Sequence, residues 1–201
     1  MKKISYILFL IFCTFSTQAK ELKIILYGDS LMSGYGLEKS FHLDQILKED
    51  LLALNIPVEI INASVPGETT KGGLNRIDWS LQDDFDLFVL GLGANDLLRG
   101  IDPLVTKVNL EEIILKVKER KIPILFTGML APDSYGNDFQ SEFNEIFSGL
   151  AQKHHLIFYP FLLKDVALQP NLNQDDGKHP NKLGIQVISS NLAKIIKNNY
   201  P

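Results

Sequence analysis

The sequence predicts an α/β fold, a three-layer α/β/α sandwich around a five-stranded parallel sheet in one domain over residues 20–201. Three observations predict it. Short apolar runs alternate with longer helical patterns along the whole chain. Four of the five runs are too short and too uniformly apolar to be half-exposed, so they read as strands buried on both faces of a parallel sheet. No repeat, low-complexity tract or interdomain linker interrupts the alternation.

Residues 1–19 stand apart. Lys2 and Lys3 precede an apolar stretch from Ile4 to Phe15, and Ser16-Thr17-Gln18-Ala19 closes it with mostly small residues. That order is a secretory signal peptide, with cleavage expected after Ala19 and a bacterial periplasmic or secreted product. The run of 12 residues falls short of the roughly 20 that span a bilayer, so no stable membrane anchor is expected after cleavage. Phe12 also stands before Cys13, where a lipid-anchored cysteine has a small residue. Cys13 is the only cysteine, so the mature chain would rest on its hydrophobic core without a disulfide. Losing the two leader lysines takes 20 basic side chains to 18, against 24 acidic ones. An acidic balance without a basic patch argues against a nucleic-acid partner. Nothing in the pattern speaks for an oligomer, so a monomer is expected.

The elements follow in order. Leu22–Tyr27 predicts the first strand. Ser40 can cap a helix over Phe41–Leu54, which Asn55 and Pro57 end. Val58–Ile61 predicts the second strand, Thr70–Leu81 the next helix and Leu87–Leu90 the third strand. Pro103 suits a first helical turn, where its missing N–H costs nothing, and opens a helix over Pro103–Lys121. Pro123 separates that helix from the fourth strand, Ile124–Thr127. A helix over Asp138–His154 leads to the fifth strand, Leu156–Tyr159, and a last helix covers Pro180–Lys197. The longest irregular stretch is Pro160–His179, and a loop of that length in a compact domain is usually functional or mobile.

Right-handed crossovers in a parallel sheet bring the C-terminal end of every strand to one edge, where ligands bind. The unusual residues lie just past those ends. Gly28-Asp29-Ser30-Leu31 follows strand one and Asn62-Ala63-Ser64-Val65-Pro66-Gly67-Glu68-Thr69 follows strand two. Gly91-Leu92-Gly93-Ala94-Asn95-Asp96 follows strand three, and Asp175-Asp176-Gly177-Lys178-His179-Pro180 closes the loop after strand five.

Each segment offers a chemical group. A serine hydroxyl attacks only if a base takes its proton, and His179 can be that base for Ser30. Asp176 lies three residues earlier, and Gly177 lets the chain fold back so that its carboxylate can hold the imidazole tautomer. Asp175 competes for that role, but the Asp-x-x-His spacing favours Asp176. Pro180 biases His179 to an extended conformation and can open the last helix. Oxyanion donors are available from the Ser30 N–H, the Gly67 N–H and the Asn95 side-chain amide. Alone, each segment is an ordinary turn or cap; their joint occurrence at one edge points to hydrolysis. Asp29 is expected to brace the first loop, and His42, His154 and His155 to serve structure.

These segments resemble the SGNH (GDSL-type) hydrolase family, through Ser30, Gly67, Asn95 and His179, with Asp176 in the Asp-x-x-His motif. Within it, Asn62-Ala63-Ser64, the stretch from Gly93 to Gly100 and the stretch from Gln174 to Asn181 look like the blocks of the bacterial periplasmic thioesterase I type. The resemblance implies a flavodoxin-like sheet, no metal or organic cofactor, and hydrolysis of a small-molecule acyl ester or thioester through an acyl-enzyme. Aryl esters, acyl-CoA and lysophospholipids are the implied substrates. Two positions depart from the pattern. Lys178 stands where an apolar residue is expected, and a cation there would steer anionic substrates. Ala94 stands where some relatives have a second glycine.

By position, an acyl groove would be lined by Leu98, Ile101, Leu130, Tyr135 and Phe139. A carbohydrate O-acetylesterase of the same family is the alternative, preferring acetyl to longer chains. A nucleotide-binding protein on this fold is disfavoured because Asp96 occupies the third glycine position of Gly91-Leu92-Gly93 and no P-loop pattern exists. A non-catalytic binding protein is disfavoured by the complete set of reactive residue types.

Overall fold

The computed structural model describes residues 20–200; the leader read in residues 1–19 lies outside them. Five parallel strands form one sheet: β1 (Leu22–Gly28), β2 (Val58–Asn62), β3 (Leu87–Gly91), β4 (Ile124–Thr127) and β5 (Ile157–Tyr159). Their order is β2-β1-β3-β4-β5. The chain runs outward from β1 to β2 and then returns to β3 on the other side of β1. The direction of winding therefore reverses between β1 and β3, whose ends meet at Gly28 and Gly91. A crevice opens at such a reversal, outside the strands' C-terminal ends.

The helices follow from the crossovers. α2 (Leu43–Ala53) packs on α7 (Lys182–Asn199), while α3 (Thr70–Ser80), α5 (Pro103–Glu119) and α6 (Asn137–His154) pack in series. Right-handed crossovers place these two groups on opposite faces. α1 (Ser30–Ser33) and α4 (Ala94–Leu98) follow β1 and β3 directly and are too short to leave a periodic pattern in the sequence. Phe88, Leu90, Leu125 and Phe126 of the sheet are fully buried, as are Leu47 and Leu192 on one face and Ile113 and Phe143 on the other. Each such side chain contributes on the order of 2 kcal/mol. Among the described residues no helix is long and apolar enough to cross a membrane.

Two expected helix starts are corrected. Ser40 lies inside a short 3-10 turn, Lys39–Phe41, and caps nothing; α2 begins at Leu43 after an extended His42 that makes no side-chain cap bond. Nor does Pro180 open α7. It bridges antiparallel to Asn173, and Asn181 is the cap, its Oδ1 accepting from the N–H groups of Leu183 (2.9 Å) and Gly184 (3.2 Å). A side-chain acceptor satisfies two orphan donors, which proline cannot do. The other boundaries lie within two residues of those expected, and Asp102 caps the helix that Pro103 opens.

Candidate active site

Ser30 is placed by the reversal between β1 and β3. A Cβ on Gly28 would lie 2.6 Å from Met32 Sδ and 2.7 Å from the Gly91 carbonyl oxygen. A Cβ on Gly91 would also meet Met32 Sδ. Two glycines thus let the buried Met32 sink between the strand ends and set α1 directly over the sheet edge. Asp29 caps α1, its Oδ1 accepting from Leu31 N–H at 3.0 Å. The second shoulder of the site is α4, which begins after Gly93 and carries Asn95.

The histidine arrives on a loop locked from within. Asp176 Oδ1 accepts from the backbone N–H groups of Lys178 (2.8 Å) and His179 (3.0 Å), and Gly177 turns the chain between them in the left-handed region. The other carboxylate oxygen lies 2.5 Å from His179 Nδ1. His179 Nε2 lies 2.9 Å from Ser30 Oγ. With the ring proton on Nδ1, the imidazole donates to Asp176 and accepts from the serine hydroxyl. The His179 backbone N–H, then its ring N–H, then the Lys178 N–H hold the Asp176 carboxyl well below the usual carboxylate range. The structure thus brings Ser30, His179 and Asp176 together, and leaves Asp175 unbonded among the described residues.

Two residues that hold this arrangement were not anticipated. The Tyr35 ring lies 4.7 Å from the imidazole, tilted by 44°. Gln174 clasps the two loops, its amide donating to the carbonyls of Tyr35 (2.9 Å) and Pro180 (3.0 Å) while its backbone N–H donates to His179 O (2.8 Å). Neither belongs to a residue type that announces a role; only the meeting of the two loops gives them one.

Gly67 has φ +77°, with open space where a side chain would stand. Its loop is held from two sides. Arg99 donates to Gly67 O at 2.7 Å, and Asn95 Nδ2 donates to Glu68 O at 3.1 Å. Below, the buried Asp96 accepts from both the N–H (2.8 Å) and the hydroxyl (2.5 Å) of Thr70, the first residue of α3. Asp96 therefore ties α3 to α4, so Gly67 and Asn95 keep one spacing. Among the described residues no group of three His, Cys, Asp or Glu is placed to hold a metal ion.

Asp29 does brace the first loop, at an electrostatic cost. It is 1% exposed, and its Oδ2 has no hydrogen-bond partner within 3.5 Å among the described residues. Burial pushes its carboxyl up to about 7; the Leu31 N–H and the Asn95 amide only partly oppose this, and Asp96 and Glu68 reinforce it. The native state thus holds this proton more tightly than the unfolded chain. That contribution is complete below the ordinary carboxylate value of 3.8 and is lost as pH rises through about 7. It amounts to something on the order of 4 kcal/mol. Asp29→Asn keeps the acceptor for Leu31 and has no charge to bury. We expect urea midpoints to show the variant gaining on the wild type between pH 5 and pH 8; parallel pH profiles would contradict this.

An apolar cleft of about 380 Å³ runs from Ser30, Asn95 and His179. Leu98 and Leu130 line it, with Met129, Phe161, Leu163 and Leu168. Ile101, Tyr135 and Phe139 do not. Tyr135 stacks on Phe139 at 5.4 Å and Phe139 on Phe143 at 5.8 Å, which turns these rings into an aromatic ladder along the first turns of α6 instead of into the cleft. Met129 and Phe161 lie two residues past β4 and β5, so the rule that located the reactive segments reaches them as well. Two other histidines bond within the fold: His154 Nε2 lies 2.6 Å from Glu111 Oε1, and His42 Nε2 lies 3.1 Å from Leu37 O, while His155 ends α6 in the left-handed conformation.

The sequence profile of the GDSL-like lipase/acylhydrolase family matches residues 26–187. The chain is 34% identical over 174 residues to the arylesterase of Vibrio mimicus, covering 86% of this chain and 87% of that one. It is 34% identical over 188 residues to thioesterase 1/protease 1/lysophospholipase L1 of Escherichia coli strain K12, covering 93% and 88%. Among solved structures, AlinE4, an SGNH-hydrolase family esterase, matches with a TM-score of 0.77 at 38% identity, covering 92% of this chain and all of that one.

Proposed function

The chain belongs to the GDSL-like lipase/acylhydrolase family and is an ester-bond hydrolase, and we propose that Ser30 is its nucleophile, His179 its general acid and base, and Asp176 the carboxylate that orients the imidazole. The single observation that carries these roles is the hydrogen-bonded chain Ser30–His179–Asp176, at 2.9 and 2.5 Å, opening on an apolar cleft.

Ser30 Oγ attacks the acyl carbonyl carbon as its proton passes to His179 Nε2. The carbonyl oxygen becomes an oxyanion that accepts from the Ser30 and Gly67 N–H groups and from the Asn95 amide. One Asn95 N–H is given to Glu68 O, which holds the amide beside the Gly67 loop. Each such donor is worth about 3 kcal/mol of barrier. The intermediate collapses as His179 returns the proton to the leaving oxygen or sulfur, and the acyl group stays on Ser30. Water then gives a proton to Nε2 and attacks the acyl carbonyl carbon, and the second intermediate collapses as Nε2 returns the proton to Ser30 Oγ and the acid leaves.

The substrates we assign are acyl esters and thioesters: aryl esters, acyl-CoA and lysophospholipids. The names of the relatives and the apolar lining support this, and such an activity belongs to lipid metabolism. Burial of each additional CH2 is worth about 0.8 kcal/mol, roughly fourfold in kcat/KM. A p-nitrophenyl ester series should therefore rise from acetyl until the cleft is filled. A maximum at acetyl would instead favour an O-acetylesterase. The Lys2–Ala19 pattern supports export to the periplasm or medium, for which a mature N-terminus at Lys20 is the test.

A further inference from the structure

We propose that Lys178 and Asp175 read the head group of a zwitterionic lysophospholipid, with Lys178 on the phosphate and Asp175 on the ammonium. The proposal rests on the hydrolase reading above and narrows its substrate.

The apolar cleft at Ser30 adjoins a second, more polar cleft of about 300 Å³. The two share Leu168, Asn173 and Gly177. Among the described residues, Lys178 is the one lysine or arginine lining the first, and no carboxylate lines it. Among the same residues, Asp175 is the one charged residue lining the second, beside Gln169 and Gln174. Both side chains are exposed, and neither makes an ion pair among the described residues. The carboxylate between them in sequence, Asp176, is already committed to His179 and to the loop backbone. Gly177, left-handed at φ +67°, turns the chain at the boundary the two clefts share.

The first cleft thus holds the apolar lining, Ser30 and the cation, and the cleft adjoining it holds the anion. A lysophosphatidylethanolamine or lysophosphatidylcholine suits that division: acyl chain, ester and phosphate come first, and the ammonium follows beyond the phosphate. The phosphate lies only a glycerol unit from the ester, and the ammonium two carbons beyond the phosphate oxygen. In acyl-CoA the phosphates lie a long pantetheine arm away from the thioester and no ammonium follows them. Aryl esters and acetylated sugars carry no charge for either residue.

The test uses the mature protein and four monomeric substrates with one acyl chain: lysophosphatidylethanolamine, lysophosphatidylglycerol, monoacylglycerol and a p-nitrophenyl ester. Lys178→Gln should lower the kcat/KM ratio of both phospholipids to monoacylglycerol about fivefold, the scale of an exposed ion pair. Asp175→Asn should lower the ratio of the ethanolamine to the glycerol lipid by a similar factor and leave the ratio of the glycerol lipid to monoacylglycerol in place. Ratios unmoved by Lys178→Gln overturn the phosphate contact, and ratios unmoved by Asp175→Asn overturn the zwitterion assignment. A wild type inactive on the p-nitrophenyl ester would strike at the hydrolase reading itself, a separate failure.

Discussion

Ser30→Ala should reduce p-nitrophenyl ester hydrolysis to background, a loss on the order of 10⁶ in kcat. The serine hydroxyl makes one side-chain contact, to His179 Nε2, and supports no part of the core. The melting temperature should therefore stay at the wild-type value, which separates lost chemistry from lost fold. His179→Ala should cost about as much, because a serine without its base and a base without its serine fail at the same step. The double variant should then be no worse than either single one. Additive losses in the double variant would mean that the two side chains do not act as a unit.

Asp176→Asn should lower kcat by about 10⁴. The amide oxygen can still accept from the Lys178 and His179 N–H groups, so the loop keeps its shape. The amide nitrogen, however, would face His179 Nδ1 as a donor. That favours the tautomer with the proton on Nε2, where it cannot accept from Ser30. Because its hydrogen bonds hold the Asp176 carboxyl below the usual range, the wild-type residue stays ionised into strongly acid solution. The variant's deficit should thus persist across the neutral and mildly acidic range. A deficit that disappears on acidification would assign Asp176 a different part.

The placement of the proposed reactive residues was legible because chemistry restricts them to few types and the parallel sheet restricts them to one edge. Ser30, Gly67, Asn95 and the Asp176–His179 pair all follow strand ends or close the last long loop, as the alternation of runs implies. Helix starts were less legible. Ser40 and Pro180 are good local starters, yet a 3-10 turn closed by the Phe41 and His42 N–H groups claimed one, and a bridge to Asn173 within the last long loop claimed the other. Tyr135 and Phe139 show the same limit from the side of packing. Their apolar character is plain in the sequence, but whether a ring turns into the cleft or onto its neighbour is decided by stacking on Phe143. Gln174 was invisible for a related reason, since its role exists only where two loops meet.

Reaction of the mature protein with a fluorophosphonate, followed by intact mass and peptide mapping, tests the role of Ser30 most directly. One adduct per chain on Ser30 is expected, absent in Ser30→Ala and slowed in His179→Ala. An unlabelled wild type, or an adduct that persists at full stoichiometry in Ser30→Ala, would contradict Ser30 as the nucleophile.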